Sequence, residues 1–244
     1  MERRRQRLCV RRQAGDPFQR CDRRMPPGLH GRALAFSFAL LALSLGGCGG
    51  GGDARTDAPK PVIEMLGDSL TAATILPVPP AQRLRELLHD EYDVQARAVA
   101  GATIRQSLTG ESNGDIVWRW LPFADQVLAD RPSIVLLRWG GSDAVAGTDP
   151  EAFRVLLTQA VRDAKKAGTV YVVGVIRSVP FELPSAATDR INREVAGAEG
   201  VPFINLRDLP FDPVTDTADS LHPSQSYSDR IMKRVADVLR AGGP

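Results

Sequence analysis

The sequence predicts a three-layer α/β/α sandwich built on a five-stranded parallel sheet. Segments of strand and helix character alternate along residues 61–241. Strands separated by helices pair in parallel, with the helices covering both faces. The apolar runs at 133–139 and 169–176 are continuous rather than alternating, as expected of strands buried on both sides. A third observation is the turn Gly67-Asp68-Ser69-Leu70 directly after the apolar run 62–66. It reads as a strand that delivers a serine to a strand-to-helix junction.

The elements follow in order. Residues 62–66 form the first strand. Residues 80–91 carry leucines at 84, 87 and 88, an amphipathic helical spacing. Residues 94–99 read as the second strand. Residues 116–129 are expected to be helical, with Asp115 as N-cap. Residues 133–139 give the third strand. The helix 150–167 has Asp149 before it and Gly168 after it, a start and stop pair. Residues 169–176 form the fourth strand, 186–199 a helix, 202–206 a short fifth strand and 224–240 the closing helix. Ligands of such sheets sit beyond the strand C-termini. Ser69, Gly101, Ser142 and Arg177 fall there.

The 244-residue chain divides by composition. Its first 47 residues hold ten arginines and three acids. Of the chain's 31 basic and 29 acidic residues, 21 and 26 therefore remain from 48 onward, a net charge of −5. The basic balance belongs to a leader, and a nucleic-acid-binding reading loses its support. Residues 33–45 are apolar apart from Ser37 and Ser44 and too short to span a bilayer. With Arg32 before them and small residues after, they form a secretory signal pattern. Its end, Leu45-Gly46-Gly47-Cys48, resembles the lipobox of bacterial lipoproteins. That resemblance implies cleavage before Cys48, lipidation of its thiol and a membrane anchor. Gly49 does not resemble the aspartate signal for inner-membrane retention, so the expected place is the outer membrane, facing the periplasm. Met25 would start a signal of ordinary length. The expected organisation is a leader and signal over 1–47, a lipidated cysteine and Gly-rich tether over 48–60, and one domain over 61–244.

The other two cysteines, Cys9 and Cys21, lie in the leader. The domain has no disulfide and no thiol ligand, and must be held by core packing. About 180 residues suffice, since a domain of that size buries roughly 70% of its unfolded surface. No metal-ligand spacing is visible, and no cofactor is expected.

Two histidines follow the leader. His89 ends the helix of residues 80–91 and reads as a solvated helix-end residue. His222 sits in Asp219-Ser220-Leu221-His222-Pro223, where one loop can present a carboxylate and an imidazole together. A carboxylate that orients the imidazole, with the other ring nitrogen facing a serine, is the arrangement of a catalytic triad. The chain order Ser69, Asp219, His222 is one of several that build it.

At these motifs the chain resembles the SGNH or GDSL hydrolases. Gly67-Asp68-Ser69-Leu70 fits the first block and implies Ser69 as nucleophile. Residues 98–101, Ala-Val-Ala-Gly, fit the second and imply the Gly101 N–H as an oxyanion donor beside that of Ser69. The last block fits 219–223 and implies Asp219 and His222 as the other triad members. The resemblance covers nearly all of 61–241 and implies a flavodoxin-like sheet and hydrolysis of acyl or acetyl esters. It is nearest the small lysophospholipase and thioesterase branch, through Ile176-Arg177 and Pro180. Small-molecule, lipid or glycan esters are the implied substrates.

One block departs from the family. Residues 139–143, Trp-Gly-Gly-Ser-Asp, place Ser142 where the family has an oxyanion-hole asparagine. A hydroxyl donates one hydrogen bond with a shorter reach. Losing such a donor costs about 2.7–4 kcal/mol of transition-state stabilisation. Three outcomes stay open. Ser142 substitutes; Asn113, in the turn-like Ser112-Asn113-Gly114, reaches in; or the protein is a slow enzyme or an envelope lipoprotein that binds an acylated glycan or lipid. Trp139 either lines a substrate pocket or fills the core. Trp118 and Trp120, two apart on the expected helix, point to different sides, one core and one rim. Arg177 reads as a rim arginine.

Overall fold

The computed structural model describes residues 59–242. The leader, the lipobox cysteine Cys48 and most of the tether lie outside them. Five strands, β1 (Val62–Gly67), β2 (Asp93–Ala98), β3 (Ile134–Arg138), β4 (Thr169–Val173) and β5 (Phe203–Ile204), form one sheet in the order β2-β1-β3-β4-β5. Every pairing is parallel. This is the flavodoxin-like order, with its crossover between β1 and β3.

Successive residues of each strand enter opposite cores. Ile63, Met65, Leu136, Tyr171 and Ile204 pack with helix α8 (Gln225–Ala241) and helix α2 (Pro80–Leu87). Leu66, Val135, Leu137 and Val172 pack on the other side. There they meet α4 (Phe123–Asp130), α6 (Pro150–Ala164) and α7 (Glu182–Glu199). Asp149 caps α6 by accepting from the N–H groups of Glu151 and Ala152, with Pro150 at the first helical position. Ser224 caps α8. No described helix is long and apolar enough to cross a membrane.

The expected helix over 116–129 is corrected. Asn113 and Ile116 form a two-residue hairpin through Gly114 and Asp115, and the helix begins only at Phe123. Pro122 is the reason. It lacks an N–H and biases the residue before it away from helix. Within the loop, the Trp118 N–H donates to Ser112 Oγ and its indole N–H to the Leu121 carbonyl. Trp118 and Trp120 therefore do not point apart: their rings lie 6.1 Å from one another, Trp118 in the core and Trp120 half-buried. The helix of 80–91 stops at Leu87, and His89 and Asp90 turn the chain with positive φ. Three short helices escape the sequence reading: α1 (Ser69–Ala72), α3 (Ile104–Thr109) and α5 (Gly141–Ala146). Each follows the C-terminal end of a strand, and together they hold the site.

Candidate active site

Ser69 is the first residue of α1, directly beyond β1. Asp68 caps that helix through Oδ1, which accepts the Leu70 N–H at 3.0 Å. Its second oxygen, Oδ2, accepts the Ser142 N–H at 2.8 Å, in the first turn of α5. One buried carboxylate thus joins the helix starts beyond two neighbouring strands. Burial raises the Asp68 carboxyl above its ordinary value, opposed by the two N–H donors and the nearby Arg138 charge. Gly141 admits the carboxylate, because a Cβ there would stand 2.9 Å from Oδ2.

Asp143 makes the next link. Its Oδ2 accepts the Ile104 N–H at 3.2 Å and its Oδ1 the Thr148 hydroxyl at 3.2 Å. The start of α3 is thereby fixed to α5, close to Gly101. Burial pushes the Asp143 carboxyl up to about 7. Gly101 has φ +79°, a left-handed conformation that favours glycine.

The histidine arrives from the loop before α8. Thr217 and Pro223 pair across it, and the Ala218 N–H donates to the His222 carbonyl. Asp219 Oδ1 accepts the backbone N–H groups of Leu221 (3.1 Å) and His222 (2.7 Å). Its Oδ2 lies 2.7 Å from His222 Nδ1. The His222 backbone N–H above all, with the imidazole and the Leu221 N–H, holds the Asp219 carboxyl below its ordinary value.

Ser69, Gly101, Ser142 and His222 line a single cavity of about 420 Å³. Asp219 stands behind His222. The rest of the wall is largely apolar, from Ile116, Val145, Val175, Ile176 and Phe181. A site of this size and lining suits a small organic ligand.

The GDSL-like lipase/acylhydrolase family model matches residues 65–227. The chain belongs to that family. It is a carboxylic ester hydrolase. The fold agrees. A crystal structure of TesA superposes with a TM-score of 0.62 at 21% identity, covering 74% of this chain and 98% of TesA. A lipase/acylhydrolase from Enterococcus faecalis gives 0.60 at 21% identity, covering 74% and 96%. An acetylxylan esterase from Geobacillus stearothermophilus gives 0.60 at 16% identity, covering 76% and 95%. No curated protein matches the chain by sequence.

Other candidates in this GDSL hydrolase fall outside the cavity wall. Asn113 is exposed and held in its hairpin. Trp139 is 1% exposed and packs in the core beside Trp118, so the core reading holds. His89 and Arg177 are exposed and off the cavity wall. Among the described residues, no group of three or more His, Cys, Asp or Glu is placed to hold a metal ion.

Sequence reasoning missed three residues that shape the site: Asp68 as a brace, Asp143 and Arg138. The signal for Arg138 was a lone cation in the apolar run 133–139, a strand buried on both faces.

Proposed function

We propose that this GDSL hydrolase cleaves carboxylic esters of apolar acyl groups through a Ser69-His222-Asp219 triad and an acyl-enzyme. The observation that carries the reading is the convergence of Ser69, Gly101, Ser142 and His222 on one cavity, with Asp219 bonded to His222 Nδ1. His222 Nε2 takes the hydroxyl proton as Ser69 Oγ attacks the ester carbonyl carbon. Asp219 fixes the tautomer that leaves Nε2 free to accept. The oxyanion is held by the N–H groups of Ser69 and Gly101 and by the Ser142 hydroxyl. The Ser142 N–H is already given to Asp68, so the hydroxyl is the donor that residue has left. Collapse of the tetrahedral species expels the alcohol, which takes the proton from His222. Water, activated by the same imidazole, then releases the acid.

The apolar wall supports an acyl chain over an acetyl group. Hydrolysis of p-nitrophenyl esters from acetate to decanoate by the full chain, beside Ser69→Ala, tests both points. Serine-dependent turnover that rises with chain length is the expected result. Turnover that persists in Ser69→Ala contradicts the triad, and a preference for acetate contradicts the acyl reading.

We further propose that Cys48 is lipidated and tethers the domain to the outer membrane, facing the periplasm. The signal pattern and lipobox support this. Incorporation of a clickable palmitate analogue into the wild type but not into Cys48→Ala tests it.

A further inference from the structure

Arg138 is a buried cation that the proposed mechanism does not use. It closes β3 at 3% exposure. Of its donors, Nη1 reaches the Leu70 carbonyl at 2.7 Å, while Nε and Nη2 are buried without partners. Taking a guanidinium out of water is costly unless a charge nearby offsets it. Here that charge is Asp68.

We propose that Arg138 is a positioning residue for Ser69, its guanidinium holding the Leu70 carbonyl while Asp68 holds the Leu70 N–H, so that the two fix the nucleophile's turn. The inference rests on the reading of Ser69 as nucleophile. Two contacts carry it. The Leu70 N–H donates to Asp68 Oδ1 at 3.0 Å, and the Leu70 carbonyl accepts from Arg138. Both backbone polar groups of the residue after Ser69 are thus held by buried ions of opposite sign. Helix α1 spans four residues, and a single turn does not sustain itself. The placement of Ser69 at the cavity wall therefore depends on this clamp. The same carboxylate holds the Ser142 N–H, so Asp68 serves the nucleophile's turn and the Ser142 side of the cavity together.

The clamp needs the carboxylate form. Ionised Asp68 accepts at both oxygens; once protonated, one oxygen becomes a donor and one N–H contact is lost. The charged and titratable groups facing Asp68 are Arg138 from β3, His222 from the loop before α8 and Asp143 from α5. Tyr227 of α8 faces Arg138, and Arg177, Arg230 and Asp216 face Tyr227 in turn. Arg138 is the permanent cation against Asp68. An adjacent opposite charge favours a carboxylate by about 1–3 pH units. Removing it moves Asp68 protonation upward, toward the working range.

The test is the rate at which a p-nitrophenyl phosphonate diester modifies Ser69. It is followed by p-nitrophenolate release and intact mass, from pH 5 to 9, in the full-length protein. The probe reads nucleophile alignment without knowledge of the natural ester. Arg138→Gln keeps a donor and removes the charge. It is expected to react about ten-fold more slowly at pH 7, with its acid limb raised by about one pH unit. Arg138→Lys keeps the charge, and its acid limb is expected to stay where the wild type has it. A folded Arg138→Gln with the wild-type limb overturns the inference, as does an Arg138→Lys limb raised like that of Arg138→Gln. Where Arg138→Gln does not fold, Arg138→Lys decides: an unmoved limb supports the clamp, and a raised limb overturns it. A wild type left unmodified at Ser69 overturns the nucleophile reading itself. Failure of the two readings is thereby distinguishable.

Discussion

The Ser142 backbone N–H donates to Asp68 Oδ2 at 2.8 Å. This bond fixes where the Ser142 side chain starts and removes its N–H from the oxyanion hole. In the proposed mechanism the residue brings its hydroxyl to the transition state. Ser142→Ala is expected to lower kcat by about 100-fold, the lower end of the range for lost oxyanion donors. Ser142→Asn keeps the backbone bond and supplies a longer donor, so its kcat is expected to equal or exceed that of the wild type. Steady-state kinetics on one p-nitrophenyl ester check both. A large loss in folded Ser142→Asn would assign Ser142 another role.

Asp68→Ala leaves the buried N–H groups of Leu70 and Ser142 without their acceptor. A buried donor left unsatisfied costs about 1–3 kcal/mol. The variant is expected to melt well below the wild type, with Asp68→Asn between them. Calorimetry at pH 7 measures the order, and an Asp68→Ala as stable as the wild type contradicts the brace.

Asp219 is half-exposed, so Asp219→Asn is expected to cost only a little stability. Its effect falls on the tautomer and the cation of His222. Loss of kcat by about three to four orders of magnitude is expected. Within the fold its carboxyl is held below the ordinary value. The stability it contributes is present above the ordinary carboxylate range and is lost as pH falls through the lowered value. Circular dichroism melts beside kcat separate the two effects.

Glu64 is fully buried in β1, with both carboxylate oxygens unpartnered and Arg97 Nε 4.0 Å away. Burial, with the neighbouring Asp130 charge, pushes its carboxyl up to about 7. A carboxyl raised in the fold favours the folded state below its unfolded value, near 4.5, and loses that advantage as pH rises to about 7. Stability is therefore expected to fall between those limits, by an amount on the order of 3 kcal/mol. Glu64→Gln is expected to flatten that part of the profile. Melting temperatures from pH 4.5 to 8 measure the slope, and equal slopes in both proteins contradict the assignment.

The sheet was legible because β3 and β4 are continuous apolar runs and because Asp149, Pro150 and Gly168 mark the ends of their segment. That Ser69, Gly101 and His222 would meet at one cavity was legible because each sits in a short motif beyond a strand or in a loop. The segment 116–129 was misread because Asp115 looks like an N-cap before Ile116, while the deciding residue, Pro122, lies six beyond Ile116. Helices α1, α3 and α5 have four to six residues each, too few for a period to register. The clamp on Leu70 was invisible because Arg138 acts across 68 residues of chain. Only strand pairing of Gly67 with Arg138 brings the two together.

The central claim is that Ser69 is the nucleophile that His222 activates. The most direct test is intact mass of the wild type, Ser69→Ala and His222→Ala after exposure to a p-nitrophenyl phosphonate diester. One phosphonyl group is expected on Ser69 in the wild type, none in Ser69→Ala, and labelling slowed by several orders of magnitude in His222→Ala. Equal labelling of Ser69→Ala and the wild type, or an unlabelled wild type that still hydrolyses p-nitrophenyl esters, would contradict it.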